Sequence, residues 1–333
     1  MARADRRAWV VLSAAWLLAL TAAPIDAQQQ FRNNRFRNNG NNAGRPQLRI
    51  PDNVVVERDI EYGRAGERSL KLDLVRPKDA GDKPLPVVAY VHGGAWRMGS
   101  KEAGLNPLAN LVTTGNYIGV SIGYRLSEEA AWPAQIHDCK AAIRWLRANA
   151  AKYHFDPERI GAWGGSAGGH LVSLLGTSGD VSALEGNNGA PDVSSRVQCV
   201  VDFCGTSDIA YLIEQAPERV DRNEALTLLF GGKPTEKREA AAEASPIRYI
   251  TADDPPFLVA HGTKDPVVPF SQAERFVDAL EKAKIDVTFI RMEGGGHGVF
   301  GPEINARVRA FFDKHLRGQS VEVSDQPIPV AAK

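Results

Sequence analysis

A serine, an acid and a histidine, the three residue types that together carry out acyl transfer, stand in this chain on glycine-rich turns that follow apolar runs. Gly164-Gly165-Ser166-Ala167-Gly168 comes after the stretch Arg159–Trp163 and opens the helix-prone segment Gly169–Leu175. A serine hydroxyl becomes a useful nucleophile when a sharp, strained turn exposes it and a base takes its proton. Glycines around Ser166 remove the Cβ atoms that would obstruct such a turn, and the following helix points its positive end at the site. A phosphate-binding loop is the competing use of such a pattern. No G-K-[ST] follows and no G-x-G-x-x-G occupies the turn, which argues against nucleotide binding.

Three further pieces complete the chemistry. His92-Gly93-Gly94-Ala95-Trp96 follows the apolar run Pro86–Val91. Such a loop supplies backbone N–H groups to a tetrahedral oxyanion, where one lost donor costs about 2.7–4 kcal/mol of barrier. The N–H groups of Gly94, Ala95 and Ala167 are the candidate donors, with Gly93 making the turn possible and His92 structural. Asp265 lies on the loop after the run Pro256–Ala260, and His297 sits in Gly294-Gly295-Gly296-His297-Gly298 after the next strand. In this order His297 accepts the Ser166 proton, and Asp265 fixes the imidazole tautomer and stabilises the imidazolium. Asp265 has a second possible use, as the cap of a helix beginning near Phe270. Asp253 and Asp254 are rival acids, although they precede the strand on the other side of the sheet. His261 is a rival base, read as packing at a strand end; His137, His154 and His170 have no matching partner.

The elements that must position these groups alternate. Apolar or alternating runs at Val54–Ile60, Ser69–Val75, Pro86–Val91, Tyr117–Ile122, Ile160–Trp163, Val197–Phe203, Pro256–Ala260 and Val287–Ile290 predict eight strands. Helical patterns lie between them. In Ala134–Ala151 the residues Ile136, Ala142, Ile143, Leu146 and Ala150 share one face and charges occupy the other. Such β/α alternation implies an α/β fold, a mostly parallel sheet with helices on both faces and an antiparallel start. Residues 206–246 interrupt it with a helix-prone stretch, expected to be a small cap over the C-terminal edge of the sheet. All four motifs then fall at C-terminal strand ends, where open α/β sheets bind ligands.

Composition sets the outer limits. Forty Lys plus Arg balance forty Asp plus Glu in 333 residues, so nothing draws the chain globally to nucleic acid or an anionic membrane. Arg3, Arg6 and Arg7 precede the run Ala8–Ala23, apolar apart from Ser13 and Thr21, as in a secretory signal peptide cleaved near Ala27. That run is shorter than the roughly 18–20 residues a membrane span needs, so export to the periplasm or medium is expected. Residues 28–49, rich in Asn, Gln and Arg, read as a disordered spacer; 50–317 as the catalytic domain; 318–333 as a flexible tail. Cys139, Cys199 and Cys204 have no metal-ligand spacing and read as buried thiols, and neither metal nor organic cofactor is implied.

The stretches HGGAWRMGSK, Gly123–Ser127 leading to WPAQIHDCKAAIRWLRANAAKY, and DPERIGAWGGSAGGHL resemble the BD-FAE-like α/β hydrolases. That group includes feruloyl and acetyl-xylan esterases and stands near the hormone-sensitive-lipase carboxylesterases. The resemblance spans residues 50–316. It implies an α/β-hydrolase fold with Ser166, Asp265 and His297 as the triad and Gly94, Ala95 and Ala167 as oxyanion donors. It implies hydrolysis of short-chain acyl or feruloyl esters, with a small molecule or a plant or algal polysaccharide as substrate. Ala95 stands where related lipases often have a third glycine, and its Cβ is expected to narrow the acyl pocket toward acetyl. Trp96 is the expected aromatic wall of the substrate site, and Trp163 is expected to pack in the core. An arylformamidase-like amide hydrolase and a short-chain lipase are the alternative activities. A non-enzymatic carbohydrate-binding protein on the same scaffold would lack a triad member, and none is missing.

Overall fold

The computed structural model describes residues 50–330, so the expected signal peptide (1–27), the spacer (28–49) and residues 331–333 lie outside the described residues. The domain begins with β1 (Val54–Ala65) and β2 (Arg68–Pro77), an antiparallel pair joined by a tight turn at Gly66. Then come β3 (Leu85–Val91), α1 (Leu105–Val112), β4 (Ile118–Ile122), α2 (Ala134–Ala148), β5 (Phe155–Gly165), α3 (Ala167–Thr177) and β6 (Cys199–Phe203). Four short helices follow, α4 (Ile209–Gln215), α5 (Pro217–Asp221), α6 (Glu224–Phe230) and α7 (Arg238–Glu243). The chain ends with β7 (Phe257–Gly262), α8 (Ser271–Lys282), β8 (Val287–Glu293), α9 (Pro302–Arg317) and β9 (Ile328–Pro329).

The strands form one sheet in the order β1-β2-β4-β3-β5-β6-β7-β8-β9, antiparallel at β1/β2 and β2/β4 and parallel from β4 onward. This is the architecture of an α/β hydrolase. The continuous apolar runs are explained by burial on both faces. One core, with α2, α3 and α8, covers one face of the sheet; the other, with α1 and α9, covers the opposite face.

The structure corrects the strand count and extends the reading of α2. The sheet has nine strands among the described residues rather than eight, because Ile328–Pro329, in the segment read as a flexible tail, adds a short strand at the edge of β8. Ile328 is buried and pairs with Met292, Val330 N–H donates to Glu293 O (2.9 Å), and Arg307 donates to Ser324 O (3.1 Å). A two-residue strand leaves too little periodicity to find in the sequence. The charged face of α2 is buried as well as the apolar one: Asp138, Lys140 and Arg144 are all buried. The connection from α3 to β6 folds over them, so Lys140 Nζ meets Glu185 Oε1 (2.6 Å) and Ser178 O (2.6 Å). Arg144 reaches Glu185 Oε2 (2.7 Å), and Arg125 meets Asp138 (2.7 Å). Buried charges survive only when paired and hydrogen-bonded in this way.

One buried acid near the site carries a pH prediction. Asp202, on β6, accepts from Ser173 Oγ (3.0 Å) and Gly205 N–H (2.9 Å), yet burial outweighs both and pushes its carboxyl up to about 6. Between the unfolded value near 4 and that value, the native state holds a proton that the unfolded chain has released. Stability therefore falls as pH rises through this window, by about 3 kcal/mol in total, and stays lower above it. Asp202→Asn keeps the shape and removes the titration. Its melting temperature relative to the parent should rise from pH 4 to pH 8, as read by thermal melts; an offset independent of pH would contradict the assignment.

Candidate active site

The turn between β5 and α3 places Ser166 at φ 57°, ψ −122°, a conformation that costs a residue with a Cβ about 1–3 kcal/mol. Two glycines make the turn possible. A Cβ on Gly164 would lie 2.5 Å from the Gly168 carbonyl, and one on Gly168 would lie 2.1 Å from Val91 O. Hydrogen bonds fix the strained residue at both ends, from Ser166 N–H to Phe203 O (2.7 Å) and from His170 N–H to Ser166 O (2.9 Å).

The loops after β7 and β8 bring the other two groups to it. His297 Nε2 lies 3.0 Å from Ser166 Oγ, and His297 Nδ1 lies 2.7 Å from Asp265 Oδ2. Asp265 Oδ1 accepts from the backbone N–H groups of Val267 (2.8 Å) and Val268 (3.0 Å). Burial raises the Asp265 pKa, but the hydrogen bonds from His261 and His297 win and hold it well below the usual carboxylate range. Asp265 does not cap α8, which begins at Ser271. The rival acids are elsewhere: Asp253 bonds Arg196 and Thr251, and Asp254 bonds Thr251.

His261, read from the sequence as packing, is fully buried and touches the acid directly. Its Nε2 lies 3.2 Å from Asp265 Oδ2 and 3.0 Å from Val268 O. Both partners are acceptors, so Nε2 carries the hydrogen and donates to them. The carboxylate oxygen that holds His297 is thus shared with a second imidazole. The only sequence signal was the four-residue spacing from His261, at the end of β7, to Asp265 on the loop that follows. His261→Ala should lower kcat about 10- to 100-fold, the worth of one hydrogen bond to a charged group, with KM little changed. His261→Gln, whose amide nitrogen replaces the Nε2–H donor, should recover most of that loss. If Gln is as damaging as Ala, His261 does not act through the bond.

The oxyanion loop packs onto the elbow. A Cβ on Gly93 would lie 2.6 Å from Gly165 O and 3.4 Å from Ser166 Cβ. Gly94, Ala95 and Trp96 all have positive φ, and Gly94 O accepts from the N–H groups of Arg97 (3.1 Å) and Met98 (3.0 Å). Among the described residues the N–H groups of Gly94, Ala95 and Ala167 have no acceptor within the chain. His92 stacks on Tyr124 and its Nδ1 lies 2.8 Å from Gly93 O, a structural placement.

The expectation for Trp96 is corrected. Its φ of 57° turns the ring into the core, where its N–H donates to His170 Nδ1 (3.1 Å). His170 Nε2 in turn donates to Ala244 O (2.6 Å), and burial pushes this imidazole down to about 4. A neutral His170 therefore ties the oxyanion loop and the elbow helix to the insertion between β6 and β7, a partnership that no local pattern reveals. Trp163 packs against Tyr90, Phe203 and Phe312 and also forms part of the cavity wall.

Beside Ser166 and His297 lies a cavity of about 500 Å³ between α1, α9 and the His297 loop. Neither Ala95 nor any residue from 206 to 246 lines it. The methyl group of Ala95 therefore does not narrow it, and the helical insertion does not close it. Among the described residues, the one grouping with metal-ligand spacing is Cys204, Asp265 and His297, whose ligand atoms lie within 4.8 Å of one another. Burial pushes the Cys204 thiol well above its usual range, and the other two members are engaged with each other. The donor set fits a proton relay better than a metal. No helix of the described residues is long and apolar enough to cross a membrane.

A family model described as BD-FAE matches residues 72–280. The chain is 36% identical over 236 residues to "Probable carboxylic ester hydrolase LipM" of Mycobacterium tuberculosis (strain ATCC 25618 / H37Rv), covering 71% of this chain and 54% of that one. The chain spans about half the length of the curated relatives it matches. Among solved structures, "Truncated form of carbohydrate esterase from gut microbiota" is similar at TM-score 0.71 and 32% identity, covering 79% of this chain and 96% of that one. An esterase from Thermogutta terrifontis is similar at TM-score 0.65 and 26% identity, covering 84% and 97%.

Proposed function

The chain belongs to the BD-FAE family of α/β hydrolases, and from that premise we propose that it is an exported serine carboxylesterase acting on acyl esters. One observation carries the proposal: the unbroken series Ser166 Oγ, His297 Nε2, His297 Nδ1 and Asp265 Oδ2, with steps of 3.0 and 2.7 Å between residues. His297 takes the Ser166 proton as Oγ attacks the ester carbonyl, and the N–H groups of Gly94, Ala95 and Ala167 receive the oxyanion. The imidazolium, stabilised by ionised Asp265, then protonates the leaving alcohol. A water molecule activated by the same imidazole releases the acid from the acyl-enzyme.

Acetyl or feruloyl esters of plant or algal polysaccharides are the substrates of this reading. It is supported by the solved relative titled a carbohydrate esterase and by the basic and apolar leader that predicts export. The test is a panel of 4-nitrophenyl esters of rising acyl length, acetylated xylan and feruloylated sugar, run beside an aryl formamide. Hydrolysis of the esters with the amide inert is the expected result. Turnover of the formamide alone would replace this activity with amide hydrolysis.

A further inference from the structure

The cavity beside Ser166 has a polarity that simple ester hydrolysis does not require. Tyr90, Trp163 and Phe203 give it an aromatic wall, while Asn106 and Asn110 from α1 and Asn305 and Arg309 from α9 line it with polar groups. No Asp, Glu or Lys lines it, so Arg309 is the single permanently charged side chain there. The other arginines of α9 are engaged: Arg307 with Glu303 (2.5 Å) and Arg317 with Asp313 (2.5 Å). Among the described residues Arg309 has no ion pair or hydrogen bond within the chain, and the side chains of the three asparagines have none either. Asp313, the acid nearest along the helix, is taken by Tyr117 (2.7 Å) and Arg317, Glu303 is taken by Arg307, and neither lines the cavity.

An unpaired guanidinium beside free amide groups, in a concavity without acids, is complementary to a carboxylate. Its planar fork binds one through two parallel N–H···O bonds. We propose that this arm of the cavity is a subsite for a carboxylate on the substrate, held by Arg309 with the asparagine amides beside it, so that the enzyme prefers esters bearing a second, free acid group. The inference rests on the esterase reading and adds the substrate class to it. The acid group has two possible sources, the acyl chain or a uronic acid on the alcohol side.

Two substrate pairs separate them. The first is the mono-4-nitrophenyl ester of adipic acid against its terminal amide; the second is monoacetylated glucuronic acid against monoacetylated glucose. The parent enzyme should favour the acid in one pair. Arg309→Gln should reduce that acid-to-neutral ratio about two- to fivefold, the range for an ion pair at an exposed site, since Arg309 is exposed, and added salt should reduce it in the parent. Arg309→Lys, keeping the charge without the fork, should fall between. A ratio equal in parent and Arg309→Gln for both pairs overturns the proposal. Calorimetric binding of adipate and glucuronate to Ser166→Ala reads the subsite without turnover, with binding weakened by adding Arg309→Gln as the expected result. Binding that depends on Arg309 in an enzyme inert toward every ester would sink the esterase reading and leave the subsite standing; binding indifferent to Arg309 sinks the subsite.

Discussion

Ser166→Ala is expected to lose on the order of 10⁶ in kcat toward 4-nitrophenyl esters while still binding them. The magnitude follows from removal of the covalent route, because the oxyanion donors and the cavity remain and continue to supply about 10³–10⁴ over water. The fold should tolerate the change. Ser166 is held at positive φ by its backbone bonds to Phe203 and His170, not by its hydroxyl, and alanine brings the same Cβ to the same strained position. An unchanged melting temperature beside the lost turnover is therefore part of the expectation. No neighbour can substitute as nucleophile. Cys204 stands close by, but burial pushes its thiol far above the range in which a thiolate exists at neutral pH. Retained turnover in Ser166→Ala would remove the nucleophile assignment.

Much of this fold is legible because a parallel sheet buried on both faces writes itself as short apolar runs such as Val87-Val88-Ala89 and Val200-Val201. The elbow is legible for a related reason: sterics admit only glycine at 164 and 168, so the backbone geometry leaves a residue signature. What the sequence does not reveal depends on contacts between distant segments. Nothing around Trp96 indicates that a left-handed turn will carry its ring away from the cavity and onto His170, 74 residues later. The helical pattern of α2 tells which residues are charged, but not that Glu185 will fold back over Lys140 and Arg144. Likewise β9 is defined by the edge of β8 that it joins rather than by two residues of its own. His261 was visible as a residue but not as a donor, since the loop must close before its Nε2 faces Asp265.

That shared carboxylate determines what Asp265→Asn should do, a loss of about 10⁴ in kcat with substrate binding retained. Oδ1 accepts two backbone N–H groups, those of Val267 and Val268, so the amide oxygen of an asparagine must take that position. Its NH₂ group is then forced to the Oδ2 position, facing His297 Nδ1 and His261 Nε2. His297 can meet a donor only with a bare Nδ1, which moves its hydrogen to Nε2. An Nε2–H directed at Ser166 Oγ cannot accept the serine proton, and the imidazolium that forms in the reaction loses its counter-charge. At the second imidazole two donors confront each other, so unlike Ser166→Ala this variant should also lose stability, by roughly 1–3 kcal/mol for a buried donor left without its acceptor. His261→Gln in the same chain should return part of that stability, because a flipped amide can present its oxygen to the asparagine NH₂, yet it should return little activity, because the His297 tautomer stays wrong. Asp253→Asn, at an exposed acid bonded to Arg196 and Thr251, should leave kcat within about twofold, as is usual for a surface change remote from the chemistry. Steady-state kinetics and thermal melts on these variants separate the two functions of the carboxylate; full activity in Asp265→Asn would show that another acid orients His297.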